Sequence, residues 1–110
     1  YRECLIVELR ARGLRVRSEV SVPINYKSHR IESFLRLDLL VEECVVVELK
    51  AVDSLHPVYE AQLITYLKLA NHPAGLLMNF NEILLKDGLR RLDHPERYKS
   101  KQKNGRKEEL

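Results

Sequence analysis

The chain is poor in residues that staple, stack or break a fold. Its 110 residues include no tryptophan, one methionine, two cysteines, four glycines and four prolines, and aromatics make up only 6%. Cys4 and Cys44 lie far apart with no Cys-x-x-Cys spacing. Neither a disulfide framework nor a zinc knuckle is therefore indicated, and a reducing cytoplasm is the expected compartment. So few rings argue against an extended stacking platform for single-stranded nucleic acid. No apolar run approaches the roughly 20 residues that span a bilayer and no signal peptide opens the chain, so no membrane is expected among its partners. A glycine-rich phosphate loop and internal repeats are also missing. The four histidines, His29, His56, His72 and His94, include no i, i+4 pair.

What is present is the composition of one compact globular domain, with 45% hydrophobic and 32% charged residues. The net charge of +3 is uneven. Residues 1–95 carry 13 basic and 13 acidic side chains, so the excess lies in 96–110, where six basic residues face three acidic ones. The organisation expected is a single domain over 1–94 followed by a basic tail, 95–110, whose low apolar content predicts disorder and salt-sensitive contact with phosphates.

Leu5 and Leu9, with neighbouring Val7 and Ala11, are spaced for a first helix over 1–12, and Gly13 can supply a left-handed stop. From Leu14 the period becomes two, predicting a strand to about Ile24, where Pro23 suits an edge or end. A polar loop at 27–30 separates it from a second strand at 31–41, and a third follows at 44–52. The third is the most apolar and is expected at the sheet centre. Pro57 opens a helix with Ser54 or His56 as cap, and the helix runs to about Asn71 before Pro73 ends it. Residues 75–80 form a buried strand, Asp87-Gly88 a turn, and 89–92 a possible edge strand. The resulting class is α/β: an α-β-β-β-α-β core with a mixed sheet flanked by helices.

Three charged residues fit this scheme poorly. Glu48 and Lys50 interrupt the most apolar strand and, two apart, share a face. Asp38 interrupts the strand before it, sharing a face with Glu32, Phe34 and Arg36 while Leu35, Leu37 and Leu39 take the other. Desolvating a charge costs several kcal/mol even after relaxation, so such residues need partners or a function. Two carboxylates from adjacent strands suit Mg²⁺, which commonly uses one or two carboxylates plus waters and phosphate oxygens. A buried Asp–Lys–Glu ion network serving only the fold is the alternative. If Asp38 and Glu48 are to meet one ion, the hairpin must pair residues whose numbers sum to an even value, such as 38 with 48 and 40 with 46, and a three-residue link at 42–44, or a bulge, follows. On the second helix, Leu55, Tyr59, Gln62, Tyr66 and Leu69 recur at helical steps, which predicts a Gln62 held on a largely apolar and aromatic stripe.

Asp38, then Glu48-x-Lys50, then Gln62-x-x-x-Tyr66 on the next helix resembles the PD-(D/E)XK nuclease superfamily, in its RecB-like branch with the QxxxY motif. The ordered segments YRECLIVELRARGLRV, VSVPINYK, RLDLLVEECVVVELKAV, EAQLITYLKL and GLLMNF resemble its GxxExxY protein family over roughly residues 1–93. The resemblance implies a nuclease core in which Asp38 and Glu48 bind Mg²⁺ (or Mn²⁺) and Leu49 offers its carbonyl. Lys50 would serve the attacking water, and Gln62 and Tyr66 would brace the site. The implied partner is nucleic acid, DNA ahead of RNA. Tyr1 matches the last letter of the family's naming motif, whose Gly and Glu would then precede the chain, and Leu37 stands where the family often has proline. Glu3 and Glu8 lie on the helix that often supplies a further metal-site glutamate, yet read as solvated. A nuclease is thus the leading expectation. A non-catalytic module binding nucleic acid or protein on the same fold is the alternative, and the neutral charge of residues 1–95 speaks for it. Oligomeric state is not legible.

Overall fold

The computed structural model describes residues 1–32, 35–82 and 85–96. Most of the expected tail, and Phe34 of the Asp38 face, lie outside them. The elements are α1 (Arg2–Ala11), β1 (Val16–Ser21), β2 (Ile24–Tyr26), β3 (His29–Ile31), β4 (Arg36–Val41), β5 (Val45–Lys50), α2 (Pro57–Ala70), β6 (Ala74–Asn79), a short 3₁₀ turn (Leu85–Gly88) and β7 (Leu89–Asp93). Five strands form one sheet in the order β1-β4-β5-β6-β7, and β2 and β3 form a separate hairpin. β5 and β6 run parallel while the other neighbours are antiparallel, so the sheet is mixed, with β5 at its centre. The parallel pair requires a crossover, which α2 provides.

Each helix covers one face of the sheet. Ile6 of α1 packs with Val16, Leu39, Val41, Val47 and Met78. Leu63 and Leu67 of α2 pack with Leu37, Leu40, Val46 and Leu77 on the other face. The strands between are covered on both sides, which explains why 45–49 reads as a nearly continuous apolar run. The helix ends follow local chemistry. Gly13, at φ 84°, takes the left-handed position after α1. His56, rather than Ser54, caps α2: its Nδ1 accepts the Val58 N–H at 3.0 Å, ahead of Pro57 in the first turn. Asn71 closes α2 in the left-handed conformation, φ 56°.

The hairpin register is the one that a shared metal face requires. Val41 pairs with Val45, Leu40 with Val46 and Leu39 with Val47, across a link at 42–44 closed by the Cys44 N–H donating to the Val41 carbonyl at 3.0 Å. Glu42 and Glu43 both sit at positive φ in that link. Glu42 is held by Arg15, just before β1, at 2.8 Å, and Glu43 by Arg17 of β1 at 2.6 Å.

Several sequence expectations need correction. The strand expected to run to Ile24 ends at Ser21, and the one expected from Ile31 begins at Arg36; residues 24–31 fold on themselves as the β2–β3 hairpin, turning at Lys27 and Ser28, both at positive φ. On α1, the inward positions are Leu5, Ile6 and Leu9, while Val7 is 67% exposed and Ala11 is also exposed. Leu37 packs toward α2 rather than with Leu39 toward α1. Its displacement has a local cause. Ser18–Leu39 and Val20–Leu37 are paired, but Glu19, between Ser18 and Val20, turns to φ 52° and interrupts the ladder opposite Asp38. Strict alternation fails where the ladder is broken.

Candidate active site

The break at position 38 brings the two carboxylates together. The β4–β5 ladder stops at Leu39–Val47, and side chains bridge the next step. The Asp38 N–H donates to Glu48 Oε1 at 3.2 Å, and the Leu49 N–H donates to Asp38 Oδ2 at 2.9 Å. Each carboxylate thus takes a backbone donor from the opposite strand. One oxygen of each is engaged in this way.

Glu48 is only 8% exposed. Burial, then the charge of Asp38, pushes its carboxyl up to about 7; the Asp38 N–H and Lys50 oppose the rise without cancelling it. A protonated Glu48 can donate to the Asp38 carboxylate. Tyr66 on α2 senses the same two charges: burial first, then Glu48 and Asp38, raise its hydroxyl, against a side-chain hydrogen bond with Gln62. The helix therefore presents Tyr66 to the carboxylates with Gln62 one turn away. Gln62 itself is exposed, contrary to the expectation of a polar group held in the core. Of the expected α2 stripe, Leu55, Tyr59 and Tyr66 pack against the core on that face of the sheet, while Gln62 and Leu69 are exposed.

Lys50 ends β5. Its carbonyl accepts the Phe80 N–H at 2.8 Å, which turns residue 50 toward β6 and, by alternation along the strand, residue 49 toward β4. The Leu49 N–H bond to Asp38 agrees, and the Leu49 carbonyl is directed to that same edge. The Lys50 Nζ lies 4.7 Å from the centre of the Tyr59 ring. Among the described residues Lys50 forms no salt bridge.

Asn79, partner of Lys50 in the β5–β6 register, was not singled out from the sequence. It is 1% exposed. Its Oδ1 accepts the Val52 N–H at 3.0 Å and the Asn81 N–H at 3.2 Å, and its Nδ2 donates to the Val52 carbonyl at 2.9 Å. These bonds fix the chain just after Lys50. The signal available was one amide closing an otherwise apolar strand. Glu3 and Glu8 remain solvated, with Arg2 at 3.6 Å and Arg12 at 3.1 Å respectively. Tyr1, beside α1, stacks on Phe80 at 5.2 Å, so α1 starts near the end of the sheet that carries Lys50.

The family model of the PD-(D/E)XK nuclease superfamily matches residues 1–92. The chain belongs to this superfamily. No curated protein matches the chain, and no solved structure does. The mixed five-stranded sheet between two helices agrees with the PD-(D/E)XK nuclease fold, whose members generally use divalent metal ions. The residues present fit such an ion. Asp38 and Glu48 supply hard oxygen donors at adjacent points of a partly desolvated site, where burial first and the Asp38 charge second raise the Glu48 carboxyl. Among the described residues no group of three or more His, Cys, Asp or Glu gathers to hold a metal. Two carboxylates would then be completed by a carbonyl, water or phosphate, as Mg²⁺ allows.

Proposed function

We propose that this PD-(D/E)XK protein is a Mg²⁺- or Mn²⁺-dependent nuclease that hydrolyses phosphodiester bonds of nucleic acid, with DNA as its substrate. The observation that carries the reading is the break in the β4–β5 ladder, which gathers Asp38 and Glu48 against burial and mutual repulsion. In this reading Asp38 and Glu48 hold the ion, together with the Leu49 carbonyl. When bound, the ion would polarise the scissile phosphate and lower the pKa of water. The Lys50 amine orients the attacking water from the end of β5, and the Asn79 bonds hold that strand end in place. Tyr66, tied to Gln62, braces the carboxylates from α2. The resemblance to the GxxExxY family is part of this proposal.

The test is Mg²⁺ and Mn²⁺ titration followed by calorimetry, with cleavage assays on single-stranded and duplex DNA and on RNA. Binding lost in Asp38→Asn and cleavage confined to metal-loaded wild type are expected. Nucleic-acid binding with no cleavage under either ion would refute the nuclease reading in favour of a binding module.

A further inference from the structure

Lys50 has two seats within reach of its strand end, the carboxylates and an aromatic ring. It takes the ring. Nζ lies 4.7 Å from the Tyr59 centroid, inside the roughly 6 Å over which a ring quadrupole attracts a cation. The two carboxylates meanwhile are tied to the Asp38 and Leu49 N–H groups. We propose that Tyr59 is a positioning residue for Lys50, a neutral seat that keeps the amine beside the carboxylates without pairing it to them. This rests on the nuclease reading and adds a residue to it.

The chemistry favours such a seat. A lysine ion-paired to Asp38 or Glu48 would neutralise the charge that a metal requires and would have to be displaced when the ion enters. An aromatic face attracts the ammonium group without consuming a carboxylate. It also restricts a side chain with four torsions, which otherwise loses much rotamer freedom when fixed. The ring is itself well held. Tyr59 lies in the first turn of α2, behind the His56 cap and Pro57. It meets the His56 ring edge-on, at 6.5 Å and 75°. It also packs against the cluster of Leu37, Leu40, Val46, Leu63, Leu67 and Leu77. The segment joining β5 to α2 therefore starts at the amine and returns the ring that receives it.

The test uses the whole chain and two readouts. By NMR, the Lys50 Hε protons, assigned by their loss in Lys50→Arg, should be shifted upfield by the ring current in wild type and in Tyr59→Phe. In Tyr59→Leu they should return to the free lysine position. In cleavage assays Tyr59→Leu should lower kcat by about tenfold or more with KM changed less than about threefold, and Tyr59→Phe should restore most of the rate. An unshifted Lys50 signal in wild type overturns the proposal without needing any variant to fold. Wild-type cleavage matched by Tyr59→Leu overturns the positioning role alone. Wild type that cleaves nothing overturns the nuclease reading, and the positioning role with it.

Discussion

Replacing Glu48 by glutamine should make the protein more stable at alkaline pH. The substitution copies the protonated carboxyl: the amide oxygen can still accept the Asp38 N–H, and the amide N–H can donate to the Asp38 carboxylate. What disappears is the ionisation. In the unfolded chain Glu48 titrates near 4.5, and in the fold near 7. Below pH 4.5 both states hold the proton and the variant gains nothing. Between 4.5 and 7 the unfolded chain gives up its proton while the fold keeps it, so wild-type stability falls as pH rises. Above 7 the loss is complete. The rise from 4.5 to about 7, at about 1.4 kcal/mol per pH unit, amounts to an upper limit of roughly 3–4 kcal/mol.

Urea unfolding of both proteins without metal, at about pH 4 and about pH 8.5, isolates this effect because other titrating groups cancel in the difference. Near-equal stabilities in acid and an advantage of up to about 3–4 kcal/mol for the variant in alkali are expected. Saturating Mg²⁺ should close the gap by stabilising wild type alone, by about 2.7 kcal/mol at a hundred times its Kd. A variant weaker than wild type by about 3–5 kcal/mol at alkaline pH would refute the reasoning, since that is the mark of a broken buried ion pair. A difference independent of pH would refute it equally.

Asp38→Asn should abolish calorimetric metal binding while leaving stability unchanged or raised, because the amide oxygen can still accept the Leu49 N–H. Lys50→Ala should cut turnover by about a hundredfold or more and leave nucleic-acid affinity nearly unchanged, measured on single-stranded and duplex substrates; the reverse split would make Lys50 a phosphate contact. Asn79→Leu strands the Val52 N–H, Val52 carbonyl and Asn81 N–H, and urea melts should show a loss of about 2–4 kcal/mol. Gly88→Ala would press a Cβ into the Asn79 carbonyl oxygen, so the thermal unfolding midpoint should fall by several degrees.

The sequence was most legible where one physical rule acted alone. Pro57 and the Asn71-to-Pro73 stop bound α2 to within a residue, and the even sum that a shared Asp38–Glu48 face would require is the parity of the observed hairpin register. Legibility failed where two rules competed. Alternation misplaced Leu37 because the Glu19 backbone interrupts the ladder beside it, and nothing in the identity of a glutamate announces φ of 52°. Periodicity identified the side of α2 that carries Gln62 but not the width of the layer that buries it. The Lys50–Tyr59 contact joins residues nine apart through an irregular segment, beyond the reach of any helix or strand period.

Hydrogen bonding alone does not account for the charges at positions 38 and 48. Each carboxylate accepts one backbone N–H, a task an amide oxygen performs as well and without charge. Burial and the neighbouring carboxylate both penalise ionised Glu48, and among the described residues the Lys50 amine rests on a ring and forms no salt bridge with either acid. A sequence selected for the fold alone would be served better by asparagine and glutamine at these positions. The proposed reading accounts for this charge: two hard oxygen donors would hold a divalent cation, and the Lys50 amine, seated on its ring, would be left to serve water or phosphate.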